Sequence, residues 1–142
     1  MEFTGLRNIV RFFLRAVLTV FKVRCKIEFD ESKLPSKGVY VSNHVSYLDP
    51  ILLFAFLPGN PVFALNGHLY RKPLIRFLMK TADIMPFNPI EPGDIKELIA
   101  KVDSCRLCVI FAEGRVTEDG GLMKIYEAPG LVADKSKAPL IP

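Results

Sequence analysis

The order of apolar and polar residues divides the chain into alternating strands and helices. Short runs rich in β-branched and aromatic residues predict strands: GVYVSN, PVFAL, ADIMPF and RLCVIFA. The stretches DPILLFAFL, RKPLIRFLMKTA and PGDIKELIAKVDS predict helices between them. The pattern predicts an α/β fold with a largely parallel sheet covered by helices. The final APLIP predicts the beginning of one more apolar strand, so we expect the sequence to be a C-terminally incomplete fragment of a longer protein.

Residues 1–24 predict an amphipathic helix with a cationic face. At about 100° per residue, its basic and apolar side chains fall on opposite sides, and its charges interrupt any run long enough to cross a bilayer. The basic face contains Arg7, Arg11, Arg15 and Lys22. Two interpretations remain open. The helix lies in a membrane interface with its arginines towards lipid phosphates, or it packs on the core and leaves a solvated basic face.

Composition adds a preference for lipid. Half of the 142 residues are hydrophobic, which suffices for one domain with a sizeable core, and 11 Phe with no Trp direct attention to acyl chains or lipid surfaces. The net charge of +4 allows anionic partners. Dispersed cations without a stacking-aromatic motif argue against nucleic acid. The basic residues Arg71, Lys72, Arg76 and Lys80 of one predicted helix either receive an acidic carrier protein or face solvent.

The three cysteines do not predict a disulfide framework or a metal site. Their number is odd and no secretory segment precedes them, which fits a reducing cytosolic setting. Cys105 and Cys108 have Cys-x-x-Cys spacing, but no second pair or suitably spaced histidine completes a zinc site in the sequence. We expect Cys105 and Cys108 to be core thiols and expect no bound metal.

Candidate chemistry lies in the loops that follow the predicted strands, because ligands of open α/β sheets bind beyond the carboxyl ends of the strands. Polar residues follow three of these strands: Asn43 and His44, then Asn88, then Glu113, Gly114 and Arg115. We expect the three loops to converge on one cleft.

His44 and Asp49 allow two interpretations. A histidine titrates near neutrality and can accept a proton from an alcohol if a carboxylate orients its ring. The sequence also predicts Asp49 as an N-cap, followed by Pro50 at the first helical position. Either the loop folds the two side chains together as a catalytic base and its orienting group, or Asp49 only caps the helix and His44 only satisfies loop hydrogen bonds.

Arg115 is a candidate for binding phosphate. A guanidinium offers a planar fork to a phosphate, and the preceding Gly114 lets a ligand approach the backbone closely. Glu113 either fixes that fork or contacts a polar head group. A salt bridge at the end of a strand is the simpler interpretation when the stretch is considered alone.

Taken together, NHVSYLD and the later FAEGRVTEDGGLMKIYEAPGLVADKSKAPLIP resemble the glycerophospholipid acyltransferase family, typified by 1-acylglycerol-3-phosphate acyltransferase. The family's His-x-x-x-x-Asp motif matches His44 and Asp49. Its Phe-Pro-Glu-Gly-x-Arg-type block resembles Phe111, Glu113, Gly114 and Arg115, with Ala112 where proline is usual and Arg115 directly after Gly114. The later stretch further resembles the N-terminal acyltransferase domain of the bifunctional 2-acylglycerophosphoethanolamine acyltransferase/acyl-carrier-protein synthetases.

One departure bears on the acceptor. Where the family's second block usually carries an arginine, this sequence has Asn88 followed by Pro89. The ethanolamine-phospholipid branch of the family shares a proline there. The departure therefore argues against a glycerol-3-phosphate-type head group and agrees with that branch.

The resemblance implies an acyltransferase that moves a fatty acyl group from acyl carrier protein or coenzyme A to a lysophospholipid hydroxyl, such as that of lysophosphatidylethanolamine, without a cofactor. It assigns His44 as general base, Asp49 as its orienting group, and Glu113, Gly114 and Arg115 as the acceptor-phosphate site. Further candidates for substrate binding are Asn43, Ser46, Phe87 and Asn88. On this hypothesis residues 1–24 form a membrane-interface helix, and residues 25–142 form part of the acyltransferase domain. We expect peripheral attachment to the cytoplasmic face of the inner membrane. The alternative is a non-catalytic lipid-binding module at a membrane surface.

Overall fold

Five parallel strands form one central sheet in the part of the chain that the structure describes. A computed structural model describes residues 3–26, 28, 31–67, 73, 77, 81–104, 106–117, 121 and 124–142. The strands are β1 (Gly38–Ser42), β2 (Val62–Leu65), β3 (Asp83–Pro86), β4 (Leu107–Phe111) and β5 (Leu140–Ile141). They pair in the order β3-β2-β4-β1-β5, and every pairing is parallel. The predicted α/β class and parallel sheet are confirmed.

Four helices of at least two turns lie within the described residues. They are α1 (Phe3–Val20), α2 (Asp49–Phe56), α3 (Pro92–Asp103) and α4 (Ala128–Ser136), and a short 3₁₀ turn spans Glu31–Lys33. The sequence pattern did not predict α4. The helix predicted over residues 71–82 lies largely outside the described residues, and its Arg71, Lys72, Arg76 and Lys80 lie wholly outside them, as does Cys105.

The helices cover both faces of the sheet. Because side chains alternate along a strand, Val39 of β1 packs into one core cluster with α3 and α4, and the adjacent Tyr40 packs into a second with α1 and α2. In β4, Cys108 and Val109 divide between the same two clusters. The fold is thus three-layered. It directs the carboxyl ends of β1 and β4, which are neighbours, to the same edge.

The basic face of α1 binds the end of α2. Residue 58 is a proline without an N–H group, so the Phe54 carbonyl has no i+4 donor in its own helix. Arg11 replaces that donor: its Nε donates to the Phe54 carbonyl at 2.7 Å, and its two Nη atoms donate to the carbonyls of Gly59 and Leu57 at 3.0 and 3.1 Å. The Arg15 Nε donates to the Ala55 carbonyl at 2.6 Å. Cations at a helix C-terminus are also favoured by the helix dipole.

For Arg11 and Arg15, both sequence-based interpretations of the basic face need correction. Arg11 is only 9% exposed, so it faces neither lipid phosphates nor solvent, whereas Lys22, past the end of α1, is exposed. Burial, with the neighbouring charges of Arg7 and Arg15, lowers the pKa of Arg11. The large apolar residues of the opposite face are exposed instead: Leu6, Ile9, Phe12, Phe13, Val17 and Val20. Among the described residues, no helix is long and apolar enough to cross a membrane.

Candidate active site

The loop after β1 brings His44 and Asp49 together. The His44 Nδ1 lies 3.0 Å from the Asp49 Oδ2, and the histidine side chain is almost fully buried. A carboxylate on Nδ1 favours the tautomer with its proton on that nitrogen, which leaves the Nε2 lone pair free to accept a proton. This arrangement is the one that a general base with an orienting carboxylate requires.

Asp49 is placed differently from the predicted helix cap. The cap residue of α2 is Leu48, and Asp49 is the first helical residue, with Pro50 second. The Asp49 Oδ2 accepts the N–H groups of Val45 and Ser46, each at 2.8 Å. The Asp49 carboxylate therefore accepts hydrogen bonds from the preceding loop, which carries His44, and not from the first amides of the helix.

The strand beside β1 supports His44 from the other side. The imidazole stacks on the Phe111 ring at the end of β4, with the ring centroids 4.3 Å apart. The His44 N–H donates to the Glu113 Oε1 at 3.1 Å, and the His44 carbonyl accepts the Thr117 N–H at 2.8 Å. The segment 111–117 therefore holds both the ring and the backbone of this histidine.

Gly114 occupies a turn that only glycine adopts readily. Its φ is +66°, and a Cβ atom there would lie 3.0 Å from the Tyr126 ring. Glu113, which precedes this glycine, is buried, and Arg115, which follows it, is exposed. Arg115 has no hydrogen bond or ion pair with any residue that the structure describes. Its guanidinium can therefore bind an anion without first breaking a contact to the described part of the chain.

A cavity of about 260 Å³ opens beside this loop. His44 and Arg115 both line it, and its remaining described wall is mostly apolar. The other lining residues are Tyr47, Ala64, Leu65, Asn66, Phe87, Pro89, Phe111, Gly114 and Val116. The loops after β1, β3 and β4 therefore converge on one cleft, as the sequence predicts.

The remaining candidates divide into lining and supporting residues. Phe87 is buried and lines the cavity. Asn88 does not line it: its Oδ1 accepts the Ile90 N–H, and its own N–H donates to the Asp94 Oδ2. The Ser46 Oγ accepts the Leu48 N–H and so supports the loop, and Asn43 is exposed outside the described lining.

Sequence reasoning missed the contribution of β2 and of Tyr47. Asn66 directly follows β2, so the rule that selected the other loops would also have selected it. Tyr47 lies between His44 and Asp49 in the motif, where an aromatic residue carried no separate signal. Both residues line the cavity.

Comparison with known proteins shows the family and supports the fold. Residues 9–142 match the Acyltransferase family, and the chain belongs to that family. The fold is similar to that in the crystal structure of the 1-acyl-sn-glycerophosphate (LPA) acyltransferase PlsC from Thermotoga maritima, with a TM-score of 0.71 over 96% of this chain and 19% sequence identity. The chain spans 55% of the length of that protein. The family predicted from the two motifs is confirmed, and the assignment to the ethanolamine-phospholipid branch stays a prediction.

Proposed function

We propose that the protein transfers a fatty acyl group from a thioester of acyl carrier protein or coenzyme A to the hydroxyl of a lysophospholipid. The observation that carries the proposal is the 3.0 Å contact between the His44 Nδ1 and the Asp49 Oδ2, in a site where His44 and Arg115 line one cavity. One cavity therefore contains both a base for the acceptor hydroxyl, His44, and a cation for the lipid phosphate, Arg115. The family membership supports an acyl group as the transferred unit.

In the proposed reaction, the His44 Nε2 accepts the proton of the acceptor hydroxyl as its oxygen attacks the thioester carbonyl. The new C–O bond forms, the C–S bond breaks, and the leaving thiolate takes the proton from the imidazolium. Asp49 keeps the ring oriented and stabilises its positive charge through Nδ1. The attack is direct, so the protein forms no acyl-enzyme and the reaction uses no cofactor.

The described wall of the cavity supports a lysophospholipid with a single phosphodiester charge as acceptor. Arg115 is the cation in the described lining, and Pro89 lies where the family usually carries an arginine. A phosphomonoester such as lysophosphatidate carries about −1.5 to −2 charges at neutral pH, as a phosphorylated side chain does, and one cation matches that charge less well. We therefore propose lysophosphatidylethanolamine or a related lysophospholipid.

We also propose that α1 lies in the surface of a membrane, at the cytoplasmic face of the inner membrane. Its apolar face is exposed while Arg11 and Arg15 donate hydrogen bonds to α2. Vesicle sedimentation should show weaker binding for Phe12→Ser/Phe13→Ser than for wild type, whereas Lys96→Ser, at an exposed position of α3, should bind as wild type. Equal sedimentation of all three proteins would contradict membrane binding through this face.

Transfer of a labelled acyl group to lysophosphatidylethanolamine in liposomes tests the reaction. We expect His44→Ala to abolish turnover and Arg115→Ala mainly to raise KM for the lysolipid, with Lys96→Ala as a surface-cation control. Folding of each variant is checked by circular dichroism. Activity of His44→Ala equal to that of wild type would contradict the role of the base.

The exposed apolar face of α1 also fits the alternative, a lipid-binding module without chemistry. The same assay separates the two functions. Vesicle binding by a folded wild-type protein that forms no product from either thioester donor would favour the binding module.

A further inference from the structure

Glu113 is buried in the part of the site that supports His44. Its side chain is 3% exposed, and its Oε1 accepts the His44 N–H at 3.1 Å. A carboxylate removed from water is costly unless hydrogen bonds compensate it, so a buried glutamate at a strand end needs such a partner. The bond joins the loop after β4 to the loop after β1.

This bond is one of several that fix the backbone around His44. The Ala112 N–H donates to the Ser42 carbonyl at 3.2 Å, and the Thr117 N–H donates to the His44 carbonyl at 2.8 Å. The segment 112–117 therefore follows the chain from Ser42 to His44 side by side. Within it, Glu113 is the residue that contacts the peptide of His44 through its side chain.

The position of Glu113 argues against contact with the acceptor phosphate. Its carboxylate is turned towards the loop backbone, and Glu113 is absent from the described lining of the cavity, whereas Gly114 and Arg115 are present. A carboxylate also repels a phosphate. The geometry thus separates support of the loop, by Glu113, from contact with the phosphate, by Arg115, which the sequence motif does not distinguish.

We propose, on the basis of the function proposed above, that Glu113 is a positioning residue for the base. It holds the His44 peptide so that the imidazole stacks on Phe111 and lines the cavity, while Asp49 sets the tautomer of the ring. The acceptor phosphate is left to Arg115. Through Glu113, the motif at residues 111–115 therefore helps to place the histidine of the His44–Asp49 motif.

Two substitutions separate positioning from substrate binding. Glu113→Gln keeps an acceptor oxygen but removes the charge, and we expect kcat within about fivefold of wild type, since a charged acceptor strengthens a hydrogen bond only moderately. Glu113→Ala removes the acceptor, and we expect kcat to fall about 10²-fold, the cost of a small misplacement of a catalytic group. KM for the lysolipid should stay near the wild-type value in both variants.

A matched control is available in the neighbouring loop. The Asp94 Oδ2 accepts the Asn88 N–H at 2.8 Å, so Asp94→Ala also removes a carboxylate from a loop backbone without touching His44. We expect kcat of this variant close to that of wild type. A loss as large as that of Glu113→Ala would show general loosening of the loops and would overturn the proposal. A rise in KM for Glu113→Gln, or complete loss of activity in folded Glu113→Gln, would also overturn it.

Hydrogen exchange of the His44 amide gives a readout that does not depend on turnover. We expect the amide to exchange about tenfold faster in Glu113→Ala than in wild type and at a near wild-type rate in Glu113→Gln, because only the first loses the acceptor. Unchanged exchange in Glu113→Ala would refute the positioning contact. If the wild type transfers no acyl group, the proposed function fails while the exchange rates still decide what Glu113 holds.

Discussion

Replacement of Arg11 by methionine should destabilise the protein more than replacement of any exposed cation. Methionine keeps an unbranched side chain that packs on Phe54, over whose ring the guanidinium lies at 5.1 Å. It removes the donors to the carbonyls of Phe54, Leu57 and Gly59. The Phe54 carbonyl has no replacement donor within α2, because residue 58 is proline.

The size of the effect follows from these contacts. Each hydrogen bond contributes about 1 kcal/mol net, and a carbonyl left buried without a donor costs about 1–3 kcal/mol. Part of the loss is offset because a buried guanidinium, whose pKa burial lowers, no longer has to be desolvated. We expect the free energy of unfolding to fall by about 2–4 kcal/mol, which for a chain of this length lowers Tm by roughly 10 °C.

Urea and thermal unfolding, followed by circular dichroism, measure this loss. The control is Arg24→Met, since Arg24 is exposed and has no hydrogen bond or ion pair with the part of the chain that the structure describes. Arg11→Lys keeps the charge but not the planar fork, so its stability should lie between those of wild type and Arg11→Met. Equal urea midpoints for Arg11→Met and Arg24→Met would refute the reasoning, because water would then satisfy the carbonyls equally well.

Three further predictions concern the site and the core. Gly114→Ala should cost about 1–2 kcal/mol of stability and raise KM for the lysolipid, because a Cβ atom at φ +66° is strained and meets the Tyr126 ring; unchanged unfolding and KM would contradict this. Burial raises the pKa of Cys108 to about 12, so iodoacetamide at about pH 8.5, the usual pKa of a free thiol, should label the exposed Cys25 and not Cys108 in the native protein; equal labelling by peptide mass spectrometry would contradict the burial. The unfolded thiol loses its proton near pH 9 and the folded one near pH 12, so stability should fall as pH rises between these values, and less steeply in Cys108→Ala.

The sequence pattern predicts most of the sheet because the apolar runs of its strands are short and clearly bounded. The strands RLCVIFA and GVYVSN and the helix that opens at Pro92 are all observed close to their predicted bounds. The helix α4 was missed because its buried residues are mostly small, Ala128 and Ala133 among them, and Gly130 interrupts the helical pattern. The order of the strands depends on where each crossover packs, which a single sequence does not encode locally.

The contact between His44 and Asp49 could be anticipated because both residues lie at the junction of a strand and a helix, where the loop allows them to meet. The contact between the Glu113 side chain and the His44 N–H could not be anticipated. The acceptor oxygen binds a backbone N–H, and every residue except proline carries one, so no residue type marks the contact. Motif spacing therefore identifies the residues of the site without separating a ligand-binding group from a supporting one.

The orientation of α1 shows the same limit for a whole helix. A helical wheel separates a basic face from an apolar face, but it does not say which face meets the protein, and both sequence-based interpretations assumed that arginines prefer water or phosphate. The deciding feature lies 43 residues away, where the Phe54 carbonyl, without a helical donor because of Pro58, accepts the Arg11 guanidinium. Docking through the arginines leaves a row of large apolar side chains exposed, a surface that soluble proteins seldom leave uncovered. The buried charge and the proposed membrane contact are therefore two consequences of one docking geometry.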